Sequence, residues 1–195
     1  MDNFRENHNM IVISDYFTMD IFMHSSNVVE IASAISGEIN LPGEENAILR
    51  EAALYHDIGK SQIPEEILYK RGKLNAEEWE IMKKHPVYSQ ELYVKAWKGK
   101  RQSPVTGKSI RHHHENWDGT GYPDGISGKN IPLYSRIIKI ADIFEAITEP
   151  RVYRSYRMDN ALELMESIKG KEIDPVIFEK SYNKLKELLR EKASW

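Results

Sequence analysis

IPLYSRIIKIADIFEAIT, residues 131–148, decides the fold class. Pro132 stands at its entrance. Ile137, Ile140, Ala141, Phe144 and Ile147 then recur at the three-, four- and seven-residue intervals that place side chains on one face of an α-helix. The same period runs upstream. Ile21, Val28, Ile31 and Ile35 mark a first helix, and beyond the Pro42-Gly43 break Ala47, Ile48, Ala52 and Tyr55 mark a second. Asn75 with Glu78 three residues on has the form of a capping box. The helix behind it carries Trp79 and Met82 and is expected to end near His85-Pro86, because proline disfavours the α conformation just before it. Another helix is expected over about residues 87–97. Asp159 and Asp174-Pro175 read as the N-terminal caps of two final helices, with Gly170 between them. With no internal repeat and no strand pattern beyond a few residues, the reading is an all-α bundle formed by a single domain.

Two stretches break the helical pattern. Residues 98–108 are basic and contain Gly99, Pro104 and Gly107, which predicts a surface loop. Residues 116–130 contain Gly119, Gly121, Gly125, Gly128 and Pro123. A loop of that length inside a helical protein is usually functional.

Composition narrows the function. The 195 residues are 41% hydrophobic, enough for a core, and lack any apolar run long enough to span a bilayer. No signal-peptide pattern opens the chain, so a cytoplasmic protein without membrane attachment is expected. Cysteine is absent, which excludes disulfides and thiolate metal sites. The net charge of −3 argues against a nucleic-acid polymer as partner, though not against a phosphorylated substrate met by bound metal ions.

Histidine placement carries the chemistry. Of the seven histidines, His24, His56, His85, His113 and His114 form a sensible ligand set together with Asp57 and Asp142. Imidazole mixed with carboxylate suits iron, manganese, zinc or nickel, whereas magnesium and calcium prefer oxygen alone. His56, Asp57, His85 and Asp142 lie on or at the ends of apolar-periodic helices, where bundle cores commonly build metal sites. A lone histidine is most often an ordinary surface or core residue, and His8 and His112 are assigned to that class.

The motifs around these residues resemble one family. HDIGK at 56–60 is similar to the HD signature of metal-dependent phosphohydrolases, and HHENWDGTGYP at 113–123 to the second signature of its HD-GYP branch. IPEEIL at 63–68, KLNAEEWEIMKKHP at 73–86, the 131–148 helix, RVYR at 151–154 and IDP at 173–175 fit as well. The resemblance spans about residues 16–180, leaving 1–15 as an N-terminal extension and 181–195 as the end of a C-terminal helix.

What the resemblance implies is a cyclic di-GMP phosphodiesterase. His24, His56, Asp57, His85, His113, His114 and Asp142 would be metal ligands, with Asp57 bridging two ions, and His112 would merely flank them. Lys60, at a family position close to the metals, would stabilise phosphate charge, or else act as a ligand or orient water. Gly121 would let the backbone approach a ligand, Tyr122 would face the substrate, and Arg151 and Arg154 would contact its phosphates. Seven ligands imply two divalent ions, iron or manganese. Asp20, where trinuclear relatives carry Glu, implies at most a weaker third. The other departures from the family pattern are Ser89, where Gly is usual, and Pro150 in place of an acidic residue.

The expected reaction opens cyclic di-GMP to pGpG and continues towards GMP. The competing readings are a phosphodiesterase for another cyclic dinucleotide or small phosphoester, and a non-catalytic cyclic-dinucleotide receptor. Most family members carry an attached sensory domain for which 195 residues leave no room. Regulation is therefore expected from a separate regulatory or sensor protein or through expression, and a homodimer is the other expected partner.

Overall fold

The structure is a computed structural model and describes residues 19–99, 103–148 and 160–193. The chain forms α1 (Met19–Glu38), α2 (Gly43–Tyr55), a 3-10 turn (Ile58–Gln62), α3 (Glu65–Leu68), α4 (Ala76–Met82) and α5 (His85–Ala96). It continues through α6 (Ser103–Arg111), a second 3-10 turn (Gly128–Asn130), α7 (Leu133–Thr148), α8 (Ala161–Ile168) and α9 (Pro175–Ala193). Among the described residues β pairing is confined to one isolated bridge between Lys169 and Ile173, so the fold is all-α as expected.

The opening motif becomes the central helix. Ile137, Ile138, Ile140, Ala141 and Phe144 of α7 are fully buried, a face wider than one stripe, because α1, α2, α6, α8 and α9 all pack on it. Val28, Ala32 and Ile35 of α1 and Leu49, Ala52 and Ala53 of α2 complete the core beside it. The capping signals act as read. Asn75 Oδ1 accepts the Glu78 N–H while the Glu78 carboxylate accepts the Asn75 N–H, both at 2.8 Å. Asp174 Oδ1 accepts the N–H groups of Val176 and Ile177. Asp159 lies outside the described residues.

Two local expectations are corrected. His85-Pro86 opens α5 rather than closing α4, which ends at Met82, because proline fits the first turn of a helix, where its missing N–H is not needed. Much of the stretch expected as a loop at 98–108 is helical, since α6 begins at Ser103. Its inward face is made of Thr106, Ser109 and Ile110, all fully buried, so the burial is mostly polar and escapes a hydrophobic-period reading. Gly107 is part of that packing. A Cβ there would lie 2.8 Å from Cγ2 of Val94 on α5.

A second glycine brings α5 to the HD turn. A Cβ on Gly59 would stand 2.2 Å from the His85 carbonyl oxygen and 2.4 Å from the Ser89 nitrogen. The backbone N–H of Gly59 donates to Ser89 Oγ at 2.8 Å. Ser89, the departure from the family pattern, thus supplies a fully buried acceptor at the closest approach of the two elements.

Candidate metal centre

Three histidines are delivered to one place by the same device. His56 follows the last residue of α2, His85 comes three residues after α4 ends, and His113 two residues after α6 ends. Each ring donates its Nδ1–H to a carbonyl three residues upstream: Ala53 at 2.7 Å, Met82 at 2.8 Å and Ile110 at 2.7 Å. The last carbonyls of a helix have no partner within it, so a helix end naturally holds an imidazole in this way. With Nδ1 committed as donor, each Nε2 turns its lone pair inward, the arrangement by which outer contacts orient metal-binding histidines.

Asp57 stands between two groups of these rings. Its Oδ1 lies 3.2 Å from His85 Nε2 and 3.9 Å from His113 Nε2. Its Oδ2 lies 3.4 Å from Nε2 of both His24 and His56. Ligand atoms of Asp57, His85, His113 and His114 fall within 4.8 Å of one another, as do those of His24, His56 and Asp57. Asp142 Oδ1 is 3.2 Å from His24 Nε2. The seven expected ligands therefore converge, with Asp57 common to both groups. Lys60 places Nζ 2.5 Å from Asp57 Oδ2, at the edge of the cluster.

Asp20 joins neither group and is exposed in the first turn of α1. The carboxylate that meets His24 from outside is Glu145, buried on α7 one turn beyond Asp142, with Oε2 2.7 Å from His24 Nδ1. Sequence reading passed over Glu145, although its i+3 relation to Asp142 marked it as sharing that face. Arg151 and Arg154 lie outside the described residues.

The electrostatics suit a cation. Burial, reinforced by neighbouring imidazoles, pushes His113 and His114 well below the usual imidazole range, leaving neutral rings with lone pairs to offer. Burial opposes charge on Asp57, but the Lys60 ammonium and the adjacent His56 and His24 hold its carboxyl well below the usual range. Burial likewise opposes the protonation of His24, yet hydrogen bonds to Asp142, Asp57 and Glu145 outweigh it and raise the pKa to about 11. His56 Nε2 and Asp57 Oδ1 are buried without a hydrogen-bond partner. Inward-facing lone pairs left unsatisfied in a protein interior are costly unless a cation meets them, so the donor set fits divalent metal.

The glycine-rich loop closes over one side. Tyr122 stacks on His114 with ring centroids 4.8 Å apart and planes 18° from parallel. It also meets the Trp79 ring nearly edge-on at 6.2 Å. Gly121 is required by contact: a Cβ there would sit 2.2 Å from the Asn116 nitrogen and 2.5 Å from Glu115 Cα. Glu115, nearly fully buried, accepts the N–H groups of Asp124 and Gly125 through Oε1. His112 does more than flank the ligands. It is buried, with Nε2 2.8 Å from Asp124 Oδ2, and Arg111 reaches the same carboxylate. Sequence alone offered no signal for that trio.

The chain is similar to known proteins in keeping with this geometry. It is 38% identical over 146 residues to the cyclic di-GMP phosphodiesterase response regulator RpfG of Xanthomonas campestris, covering 74% of this chain and 38% of that protein. It is also 38% identical over 156 residues to 3'3'-cGAMP-specific phosphodiesterase 3 of Vibrio cholerae, covering 80% of this chain and 33% of that protein. The chain thus spans about a third of the length of these curated relatives. Among solved structures, Bd1817, an HDG"Y"P protein from Bdellovibrio bacteriovorus, shares the fold with a TM-score of 0.68 at 18% identity, over 87% of this chain and 52% of that one. A family model described as the HD domain matches residues 10–177, including both histidine signatures, and the chain belongs to the HD domain family.

Proposed function

We propose that this domain is a metal-dependent phosphodiesterase of the HD-GYP branch that opens cyclic di-GMP to pGpG and carries it on to GMP. The observation that carries the reading is the single carboxylate of Asp57, whose two oxygens face two separate groups of inward-turned imidazoles. That is the arrangement expected of a bridging ligand between two ions.

The ions are proposed to be iron or manganese. His85, His113 and His114 with Asp57 would hold one, and His24, His56 and Asp142 with Asp57 the other. When bound, such ions supply Lewis acidity at phosphorus and acidify water for in-line attack. The chain's own groups do the rest. Lys60, beside Asp57, offers an ammonium to a phosphate oxygen. Tyr122 offers an aromatic face and a hydroxyl next to His114. Arg151 and Arg154 are proposed to bind the phosphates. A third ion would be weak, because Asp20 stands apart from both groups.

A second substrate reading, 3'3'-cGAMP, is favoured by one observation: a relative named for it is as similar to this chain as one named for cyclic di-GMP. The deciding experiment is hydrolysis of cyclic di-GMP, 3'3'-cGAMP and cyclic di-AMP by anaerobically purified protein, with metal analysis of the same sample. Turnover of cyclic di-GMP is expected, and its loss together with metal in Asp57→Ala. Tyr122→Ala and Arg151→Ala should each keep the metal and lose roughly 1.5–3 kcal/mol of transition-state stabilisation, as removal of a contact to a charged group does. A folded, metal-loaded protein that cleaves none of the three would point to the non-catalytic receptor reading instead.

A further inference from the structure

Asp124 is held from three directions by residues interleaved with the metal ligands. Arg111 donates Nε–H to Oδ2 and Nη2–H to Oδ1, both at 2.7 Å. His112 places Nε2 2.8 Å from Oδ2, and its own Nδ1 is fixed 2.7 Å from the Lys108 carbonyl. The Glu115 carboxylate accepts the backbone N–H of Asp124 at 2.7 Å and that of Gly125 at 3.1 Å. Arg111 and His112 immediately precede His113 and His114 at the end of α6, while Asp124 lies two residues beyond Tyr122. One short run of chain therefore grips both the metal cluster and the loop.

The contact differs from an ordinary surface ion pair, which stabilises little. The Arg111 fork is bidentate, which fixes direction as well as distance. His112 is only 6% exposed, and so is committed to this contact rather than free to sample others. The loop is also pinned at its other side, because Gly121 lies flush against Glu115 and Asn116. Between these two anchors the Tyr122 ring stacks on His114.

We propose that Arg111, His112 and Asp124 are positioning residues that lock the Tyr122 loop onto the helix end bearing His113 and His114, so that the substrate-facing ring and the metal centre keep one fixed separation. The proposal rests on the reading of Tyr122 as a substrate contact. It assigns a role to three residues outside the metal cluster, and it predicts coupling between Asp124 and Tyr122 that simple loss of stability would not produce.

The test is Asp124→Ala in the full chain, loaded with metal and assayed with cyclic di-GMP. The expected result is a KM raised roughly ten- to a hundred-fold, the scale on which misplacing a positioning contact acts, with metal content unchanged. In a Tyr122→Ala background the same substitution should add almost nothing, since it acts through a ring no longer present. Amide hydrogen exchange over residues 118–125 should accelerate in Asp124→Ala, with or without substrate. An unchanged KM in folded, metal-loaded Asp124→Ala overturns the proposal, and so do losses that multiply independently of Tyr122. If wild-type protein hydrolyses no cyclic dinucleotide, the functional reading falls by itself, and the exchange measurement still decides whether the clamp holds the loop. Should Asp124→Ala fail to fold, Arg111→Lys keeps the charge, removes the fork and is read by the same measurements.

Discussion

The Nε2 atoms of His85 and His113 face each other at 3.3 Å, while each ring has already given its Nδ1–H to a helix-end carbonyl. With Nδ1 the donor on each ring, the two Nε2 atoms meet as lone pairs. A shared cation removes that repulsion. Metal is therefore expected to raise the stability of the fold as well as to support its chemistry. Chelation should lower the melting temperature, and divalent iron or manganese at about 100-fold above its Kd should restore about 2.7 kcal/mol. Thermal denaturation with and without chelator checks this. An unchanged melting temperature would mean that the cluster satisfies itself without metal.

Glu145 and Asp20 make opposite predictions about His24. Glu145 holds the Nδ1 side of the ring from a buried position, whereas Asp20 is exposed one turn away on α1. Removing a carboxylate that orients a metal-binding imidazole typically lowers metal affinity about 10- to 100-fold. Glu145→Ala should show such a loss and Asp20→Ala only a small one. Competition titration with a metal-binding dye gives the two affinities directly. Equal losses would make Asp20 a ligand after all.

Ser89 should be a stability residue with no part in hydrolysis. Its hydroxyl accepts the Gly59 N–H in a fully buried contact. In Ser89→Ala that N–H loses its acceptor, a defect worth about 1–3 kcal/mol. Urea denaturation should report the loss with an unchanged slope, and kcat of the folded variant should stay near wild type. A stability equal to wild type would show that the N–H finds another partner.

Acid should weaken the Asp124 contact in a defined window. Hydrogen bonds from Arg111, with His112 beside it, hold the Asp124 carboxyl down at about 2, against ~3.9 for aspartate in an unfolded chain. Because the folded value is the lower one, the stabilisation is complete above about pH 4 and disappears as pH falls towards 2. The carboxylate is 35% exposed, so solvent screening keeps the effect modest. Wild-type protein should lose more stability than Asp124→Asn between pH 5 and pH 2.5, as followed by melting temperature. Parallel curves for the two proteins would contradict the assignment.

The legible parts of this chain are those where a periodic or paired signal coincides with burial. Ile137 to Ile147 announce a core helix, Asn75 and Glu78 cap one another as their spacing indicates, and ligand atoms of the histidine signatures lie within 4.8 Å of one another in two groups around Asp57. Failures occur where burial is polar. Thr106 and Gly107 read as a loop because their helix packs through small polar residues rather than an apolar stripe. Glu145 draws no reading, because only the tertiary structure brings His24 to it. The partnership of Arg111 and His112 with Asp124 spans a loop whose path no local rule supplies.

The way the histidines are held has an electrical consequence. Helices α2, α4 and α6 all end at the cluster, and each helix end carries about half a negative charge from its aligned peptide dipoles. Three such ends, one of them offset by the start of α5 at His85, add a partial negative charge to those of Asp57 and Asp142. Without metal this scaffold attracts cations and repels phosphates. Loading should be ordered, metal first and nucleotide second, and a cyclic dinucleotide should bind the metal-stripped protein far more weakly than its own aromatic and basic contacts would suggest.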